Sequence, residues 1–108
     1  MTTGGKLLGL SVAALLLTGF TPIEQAVVGT IVSFECGDNC YLTIATSERT
    51  RLTGLCVAEA CQSWNEAVEM PADLVGTPVT VTLDVGTQFD GGGNEMGPFI
   101  AFSEIAFD

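Results

Sequence analysis

The sequence predicts a small, mainly β domain in which three strands precede one short helix and two strands follow it. Of the 108 residues, 47% are hydrophobic and 15% are charged, which suits one folded domain and excludes a disordered acidic tail. Residues 79–85 alternate apolar and polar side chains without a break, which is the pattern of a strand with one buried face. Four cysteines in so short a chain predict disulfides that supplement a small hydrophobic core.

The N-terminal segment predicts export. Lys6 precedes an uncharged apolar run over residues 7–20, which is the arrangement of a secretory signal peptide. The run ends before Pro22 and is shorter than the roughly 20 residues that a membrane-spanning helix needs. We therefore expect residues 1–26 to be a signal peptide cleaved near residues 19–26, or a hydrophobic N-terminal helix if no cleavage occurs. The folded domain is then residues 27–108.

The first half of this domain predicts three strands and a helix. The β-rich residues 27–35 are followed by the turn sequence CGDNC and by a second strand at 41–44, which makes the first pair a hairpin. A polar turn leads to a third strand over 50–55. Residues 56–68 contain Ala and Glu but neither Gly nor Pro, which favours a short helix that ends before Pro71.

The second half predicts two strands joined by a long loop. The alternating segment 79–85 is the first strand, and residues 99–107 are the second. The intervening residues 86–98, GTQFDGGGNEMGP, are rich in glycine and predict the loop. The predicted core consists of Val28, Val32, Phe34, Leu42, Ile44, Leu52, Leu55, Trp64, Val79, Val81, Leu83, Ile100 and Phe102.

The four cysteines, Cys36, Cys40, Cys56 and Cys61, predict two disulfides. A three-residue turn brings its flanking residues within disulfide range, so we favour Cys36–Cys40 and Cys56–Cys61. The crossed arrangement, Cys36–Cys56 with Cys40–Cys61, is the next alternative. A zinc site of four thiolates is less favoured, because structural zinc sites use tighter C-x2-C spacing, and no C-x2-C redox motif is present.

The element order, three strands, a helix and two strands, is that of an OB-fold, a small Greek-key barrel. The segments ECGDNCYLTI, LTGLCVAEACQSW and GGGNEMG carry a further resemblance. Together with the element order, they resemble small exported bacterial OB-fold-like proteins of unassigned function. The resemblance implies a five-stranded barrel and no particular activity. A β-sandwich or an incomplete roll of five or six strands is the competing architecture.

The charge balance restricts the possible partners and chemistry. The chain has 13 acidic side chains, 3 basic ones and no histidine, for a net charge of −10. Nucleic-acid binding needs clustered Lys and Arg, and Arg49 and Arg51 are better explained as part of a solvated hairpin turn, so no nucleic-acid partner is expected. Catalysis by histidine and metal binding by histidine are excluded.

Candidate contact residues lie where OB-folds bind ligands, on the second and third strands and in the flanking loops. Tyr41 is the aromatic residue of the second strand. In the predicted loop, Asp90, Asn94 and Glu95 flank a triple glycine, and Met96 adds an apolar side chain. These five residues are the predicted ligand-binding residues.

Metal binding and catalysis are not predicted at these or other positions. The loop offers oxygen ligands of the kind that Ca²⁺ takes, but their spacing departs from that of an EF-hand. The carboxylates Glu66, Glu69 and Asp73 follow Trp64, yet so small a domain leaves little cleft for a sugar chain, so glycoside hydrolysis is not expected. We predict neither a cofactor nor a metal, and we expect Trp64 to pack in the core.

The sequence thus leaves two hypotheses for function. The first is a small, exported, acidic, non-catalytic binding module for a protein, peptide or cationic ligand, which would be periplasmic or secreted. Its negative charge would attract positively charged partners, and the segments 37–39 and 86–98 would contact them. The alternative is an accessory subunit of a membrane complex, which an uncleaved N-terminal helix anchors with the domain facing the periplasm.

Overall fold

The structure, a computed structural model, describes residues 25–108. Five strands follow the predicted order: Gln25–Cys36 (β1), Cys40–Ala45 (β2), Arg51–Cys56 (β3), Pro78–Phe89 (β4) and Glu95–Phe107 (β5). The helix Cys61–Ala67 (α1) and a single 3-10 turn at Ala72–Leu74 connect β3 to β4.

Residues 1–24 of the predicted N-terminal segment, which spans residues 1–26, lie outside the described residues. The first strand already includes Gln25 and Ala26, which pair with Leu83 and Thr82 of β4.

The strands form a closed barrel in the order β1-β2-β3-β5-β4, with β4 returning to β1. Every neighbouring pair is antiparallel except β3 and β5, which are parallel. This is the OB-like topology that the element order predicts. Closure of the barrel excludes the alternative sandwich and the incomplete roll.

The first strand reverses the direction of its side chains near its middle. Its first half pairs with β4 and its second half with β2, and the register shifts between Ile31 and Ser33. A bulge of this kind inserts one residue, which changes the face to which the following side chains point. Ile31 is therefore buried, whereas Val28, which the simple alternation places in the core, is 65% exposed, and Val32 is only partly buried.

Gly29 allows β1 to lie close to the backbone at the end of β2. A Cβ atom at this position would lie 2.7 Å from the carbonyl oxygen of Ala45. Because that oxygen belongs to the backbone, a side chain would force the strands apart. Near this position β1 changes its pairing partner from β4 to β2, so the same strand contributes to both sides of the barrel.

The core contains most of the predicted residues. Phe34, Leu52 and Leu83 are partly buried against it. Ile100 is an exception: it pairs with exposed Val85 where the two strands continue beyond the barrel wall, since β1 pairs with β4 only as far as Leu83. The buried cluster consists of Ile31, Leu42, Ile44, Cys56, Ala58, Cys61, Trp64, Met70, Val79, Val81 and Phe102.

The predicted long loop over residues 86–98 is wrong. β4 continues to Phe89 and β5 begins at Glu95, so that only residues 90–94 form a turn. Glycine and proline within the segment disfavour a strand on local propensity. Pairing between the two strands outweighs that preference, for example at Thr87 opposite Pro98.

The helix is shorter than the predicted 56–68, because Cys56 still belongs to β3 and α1 begins at Cys61. Both predicted disulfides are present, Cys36–Cys40 and Cys56–Cys61, and the second joins the end of β3 to the start of α1. Trp64 is buried as predicted, with its ring edge-to-face against Phe34 at 5.9 Å and against Phe107 at 6.4 Å.

Candidate functional site

The candidate site is built by the β4–β5 ribbon where it folds onto the outside of the barrel. Leu42 of β2 points into the core, so its neighbour Tyr41 points outward. The ribbon packs closely at this end, because a Cβ on Gly86 would lie 2.9 Å from Cδ1 of Leu55. The ribbon therefore covers the outward face of β2 and β3 beside Tyr41.

Hydrogen bonds fasten the ribbon to the β1–β2 turn. The side-chain amide of Asn39 donates to the carbonyl oxygen of Phe89 at 2.8 Å, and its oxygen accepts from the Phe89 N–H at 3.0 Å. The Tyr41 hydroxyl donates to Oε1 of Gln88, and the Tyr41 ring lies edge-to-face against Phe99 at 5.6 Å. We call the Asn39–Phe89 and Tyr41–Gln88 contacts the clasp.

A shallow groove of about 310 Å³ lies along this clasp, and we call it the tip groove. The side chains of Phe89 and Met96 beside it are 42% and 61% exposed, so they present apolar surface to solvent. The residues that line the groove are Asp38, Asn39, Tyr41, Gln88, Phe89 and Met96.

The turn at the end of the ribbon is organised by Asp90. Its Oδ1 accepts the backbone N–H groups of Gly92 at 2.8 Å and Asn94 at 2.9 Å, and its Oδ2 accepts the side-chain amide of Asn94 at 3.1 Å. The backbone and then the side-chain hydrogen bonds from Asn94 lower the pKa of Asp90. Both carboxylate oxygens are thus engaged in holding the turn.

The structure brings together some of the predicted contact residues and separates others. Tyr41 and Met96 line the tip groove, and Glu95 lies at its edge, opposite Phe89 in the ribbon. Asp90 and Asn94 bond to one another in the turn beyond it. Whether any of these residues contacts a ligand stays a prediction.

Sequence analysis included Asn39, Gln88 and Phe89 only as members of the predicted contact segments 37–39 and 86–98 and did not name them individually. Gln88 and Phe89 lie in the segment predicted as loop. Phe89 returns to the apolar phase of residues 79–85, but Thr87 interrupts the alternation, so the sequence carries only a weak signal for a strand there. The role of Asn39 depends on a contact between distant segments, which no local pattern reports.

The surroundings of the groove are acidic. Glu35 stands directly opposite Tyr41 on the neighbouring strand, Asp38 lines the groove, and Glu95 stands opposite Phe89. The two basic side chains of residues 25–108, Arg49 and Arg51, are exposed at the other end of the β2–β3 hairpin, where Arg51 pairs with Ala45. Both arginines are therefore distant from the tip groove, and Glu48 lies beside Arg49 at their end of the hairpin.

A larger groove of about 670 Å³ crosses the outside of β4 and β5. Hydroxyl groups and carboxylates line it together with three apolar side chains, and none of its lining residues in the described part of the chain is aromatic. The lining residues are Glu59, Ala60, Thr80, Thr82, Ser103, Glu104, Ile105 and Ala106. Thr82 already donates to Glu104 at 3.3 Å, and Thr80 to the carboxylate of Asp108. The smaller tip groove is the better candidate, because Phe89 and Met96 present large exposed apolar side chains there beside Asp38.

Within the described part of the chain, no group of three or more His, Cys, Asp or Glu side chains is placed to hold a metal ion. Its four cysteines are all in disulfides. No helix of residues 25–108 combines the length and the apolar character that crossing a membrane requires.

Comparison with protein-family models, with curated proteins and with solved structures finds no match to this chain.

Proposed function

We propose that the protein is a small, exported, non-catalytic binding module that holds a basic segment of a protein or peptide in the tip groove. The observation that carries this proposal is the exposure of Phe89 and Met96 among the carboxylates of Glu35, Asp38 and Glu95. Apolar side chains ringed by a single sign of charge are suited to partners that are amphipathic and of opposite charge.

Lysine and arginine side chains have this double character. Their aliphatic stems pack on aromatic and thioether groups while the charged heads remain in water, and a cation over an aromatic face gains about 0.5–1 kcal/mol at an exposed site. Phe89 and Met96 would hold the stems, and Asp38 and Glu95 would receive the heads. The net charge of the whole chain, −10, would speed the encounter with such a partner.

The proposed location is the periplasm or the extracellular space. Two disulfides in so small a domain are consistent with an oxidising, exported environment. The resemblance to small exported OB-fold-like proteins belongs to this proposal as well. It fits a role in binding, since OB barrels commonly bind ligands on the face of strands 2 and 3 and with the loops that join strands 1 and 2 and strands 4 and 5.

The experiment is a titration of the oxidised protein with a short oligolysine peptide, followed by NMR chemical shifts of backbone amides. We expect shifts centred on Asn39, Tyr41, Phe89 and Met96, and affinity that falls as salt is added, because salt screens exposed charges. Shifts confined to the larger groove around Thr82, or none at all, would overturn the proposal.

Charge variants at both ends of the molecule make the test specific. Glu95→Gln removes a carboxylate at the groove and should weaken oligolysine binding by about two- to fivefold, which is the value of one exposed ion pair. Glu48→Gln removes the same charge from the β2–β3 turn, beside Arg49, and should leave binding nearly unchanged. Equal losses in the two variants would mean that net charge, and not the groove, determines affinity.

The alternative, an accessory subunit held by an uncleaved N-terminal helix, depends on residues outside the described part of the chain. An intact mass of the protein from fractionated cells distinguishes the two. We expect a soluble product whose N-terminus is at or before Gln25, because β1 pairs with β4 from that residue onward. A full-length mass in the membrane fraction would favour the anchored subunit.

A further inference from the structure

The two disulfides differ sharply in their surroundings. Cys56 and Cys61 are 1% and 0% exposed and belong to the barrel core. Cys36 and Cys40 are only partly buried and pair across the end of the β1–β2 hairpin. Thiol–disulfide exchange requires that a thiolate reach one of the sulfurs. Cys36–Cys40 is therefore the more accessible disulfide in the folded protein, whereas the core shields Cys56–Cys61.

The accessible disulfide closes the turn that forms one wall of the tip groove. Between the two cysteines lie Gly37, Asp38 and Asn39, and the Gly37 N–H donates to the carbonyl oxygen of Asn39 at 2.8 Å. Asp38 and Asn39 line the groove. Cleaving the disulfide would release these two residues from a closed ring and broaden the conformations of the turn.

The same turn also holds the ribbon in place. Beyond Leu83, β4 no longer pairs with β1, and before Ala101 β5 does not pair with β3. A two-stranded ribbon is marginally stable by itself. In the folded protein Asn39 bonds both backbone groups of Phe89, so the order of the ribbon near Phe89 depends in part on the order of the turn.

We propose that the Cys36–Cys40 disulfide is a redox control on the tip groove, and that its reduction by a dithiol loosens the clasp and weakens the binding of basic segments while the barrel remains folded. The identity of the ligand, a basic segment, rests on the proposed function. The coupling between the disulfide and the clasp is independent of that function.

The exchange proceeds in two displacements. A thiolate of the dithiol attacks one sulfur of Cys36–Cys40, which breaks that S–S bond and forms a mixed disulfide. The second thiolate of the reductant then displaces the cysteine sulfur. The reductant is converted to a disulfide. Cys36 and Cys40 become thiols, which together have gained two electrons and two protons.

The first test is selectivity of reduction. The oxidised protein is treated with graded dithiothreitol under native conditions, alkylated with iodoacetamide and mapped by mass spectrometry. We expect label on Cys36 and Cys40 while Cys56 and Cys61 remain unlabelled. Simultaneous labelling of all four cysteines would mean that reduction requires unfolding, and the proposal would fail.

The second test follows the clasp by hydrogen exchange and needs no ligand. Reduction should speed exchange of the Phe89 amide at least about tenfold, with the core amide of Val81 unchanged, as expected for local opening. The double variant Cys36→Ser with Cys40→Ser should do the same, and Asn39→Ala should do so in the oxidised protein. A Phe89 amide that stays protected after reduction overturns the coupling.

The third test measures oligolysine binding to the two redox forms. We expect at least about tenfold weaker binding after selective reduction, because a groove whose wall is no longer preorganised must be ordered on binding. Equal binding to both forms would refute the redox control and leave the proposed function standing. Binding to neither form would refute the proposed function, and the exchange of Phe89 would still decide whether the disulfide controls the clasp.

Discussion

The variant Val68→Gly should be more stable than the variant Val68→Ala. This is the reverse of the order that glycine and alanine have inside a helix. Val68 directly follows α1 and has φ 60° and ψ 25°, in the left-handed region. The Glu69 N–H then donates to the carbonyl oxygen of Trp64 at 3.0 Å and ends the helix. Glycine is the usual residue at such a position, because the left-handed conformation presses Cβ against the following carbonyl oxygen.

The magnitude follows from comparing the two variants with each other. Both lose the same valine methyl groups, so the lost burial of this 61% exposed side chain largely cancels. Alanine keeps a Cβ and retains a left-handed cost of about 1–2 kcal/mol. Glycine avoids it but loses about 0.5–1 kcal/mol through the greater freedom of its unfolded chain. The difference is about 0–1.5 kcal/mol in favour of glycine, with a central value of about 0.75 kcal/mol, which corresponds to about 3–6 °C in Tm.

The assay is guanidinium and thermal unfolding of Val68→Gly and Val68→Ala, with Ser63 as the matched control. Ser63 is exposed within α1. At this position the free energy of unfolding of the alanine variant should exceed that of the glycine variant by about 1 kcal/mol. We expect the glycine variant to be the more stable one at residue 68 and the alanine variant to be the more stable one at residue 63. Alanine equal to or better than glycine at both positions would show that the backbone at residue 68 is not strained.

Three further predictions concern the core at Trp64, the close approach of β1 to β2 at Gly29, and the dependence of stability on pH. Trp64→Ala should lower the free energy of unfolding by about 3–5 kcal/mol, because it empties a buried aromatic site; a loss below 1 kcal/mol by circular dichroism would mean that the ring is not part of the core. Gly29→Ala should cost about 1–3 kcal/mol, since its Cβ meets the Ala45 carbonyl, whereas Gly37→Ala, with open space around it, should change stability by less than about 0.5 kcal/mol; equal costs would refute the close approach. The pKa of Asp90 is lowered in the folded protein, so its turn adds stability above the pKa of the unfolded carboxyl and loses it as the pH falls through the folded pKa. Unfolding from neutral to acid pH should therefore show wild type losing its advantage over Asp90→Asn, and parallel pH curves would contradict this.

Several parts of the fold could be predicted because local signals determine them. The turn sequence between Cys36 and Cys40 predicts both the hairpin and the disulfide, and both are present. The unbroken alternation that begins at Val79 predicts a strand with a buried face, and Val79 and Val81 are fully buried. In each case neighbouring residues alone specify the geometry.

Other parts depend on contacts that are distant in sequence. The bulge after Ile31 shifts the phase of β1, which places Val28 outside the core against the simple alternation. The β4–β5 ribbon forms through a segment whose glycines favour a loop, because pairing and packing on Leu55 compensate. For the candidate site, residue type pointed to Tyr41 and Met96, but the contribution of Asn39 arises only when the folded chain brings it to Phe89.

The parallel junction between β3 and β5 has a consequence for how the protein folds. The described strands meet there only at Leu55–Ala101 and Cys56–Phe102, and joining segments so far apart in the chain costs loop entropy before it yields hydrogen bonds. We expect this seam to close late in folding, after the hairpins have formed. Until it closes, the curled sheet has two unpaired edges that invite aggregation.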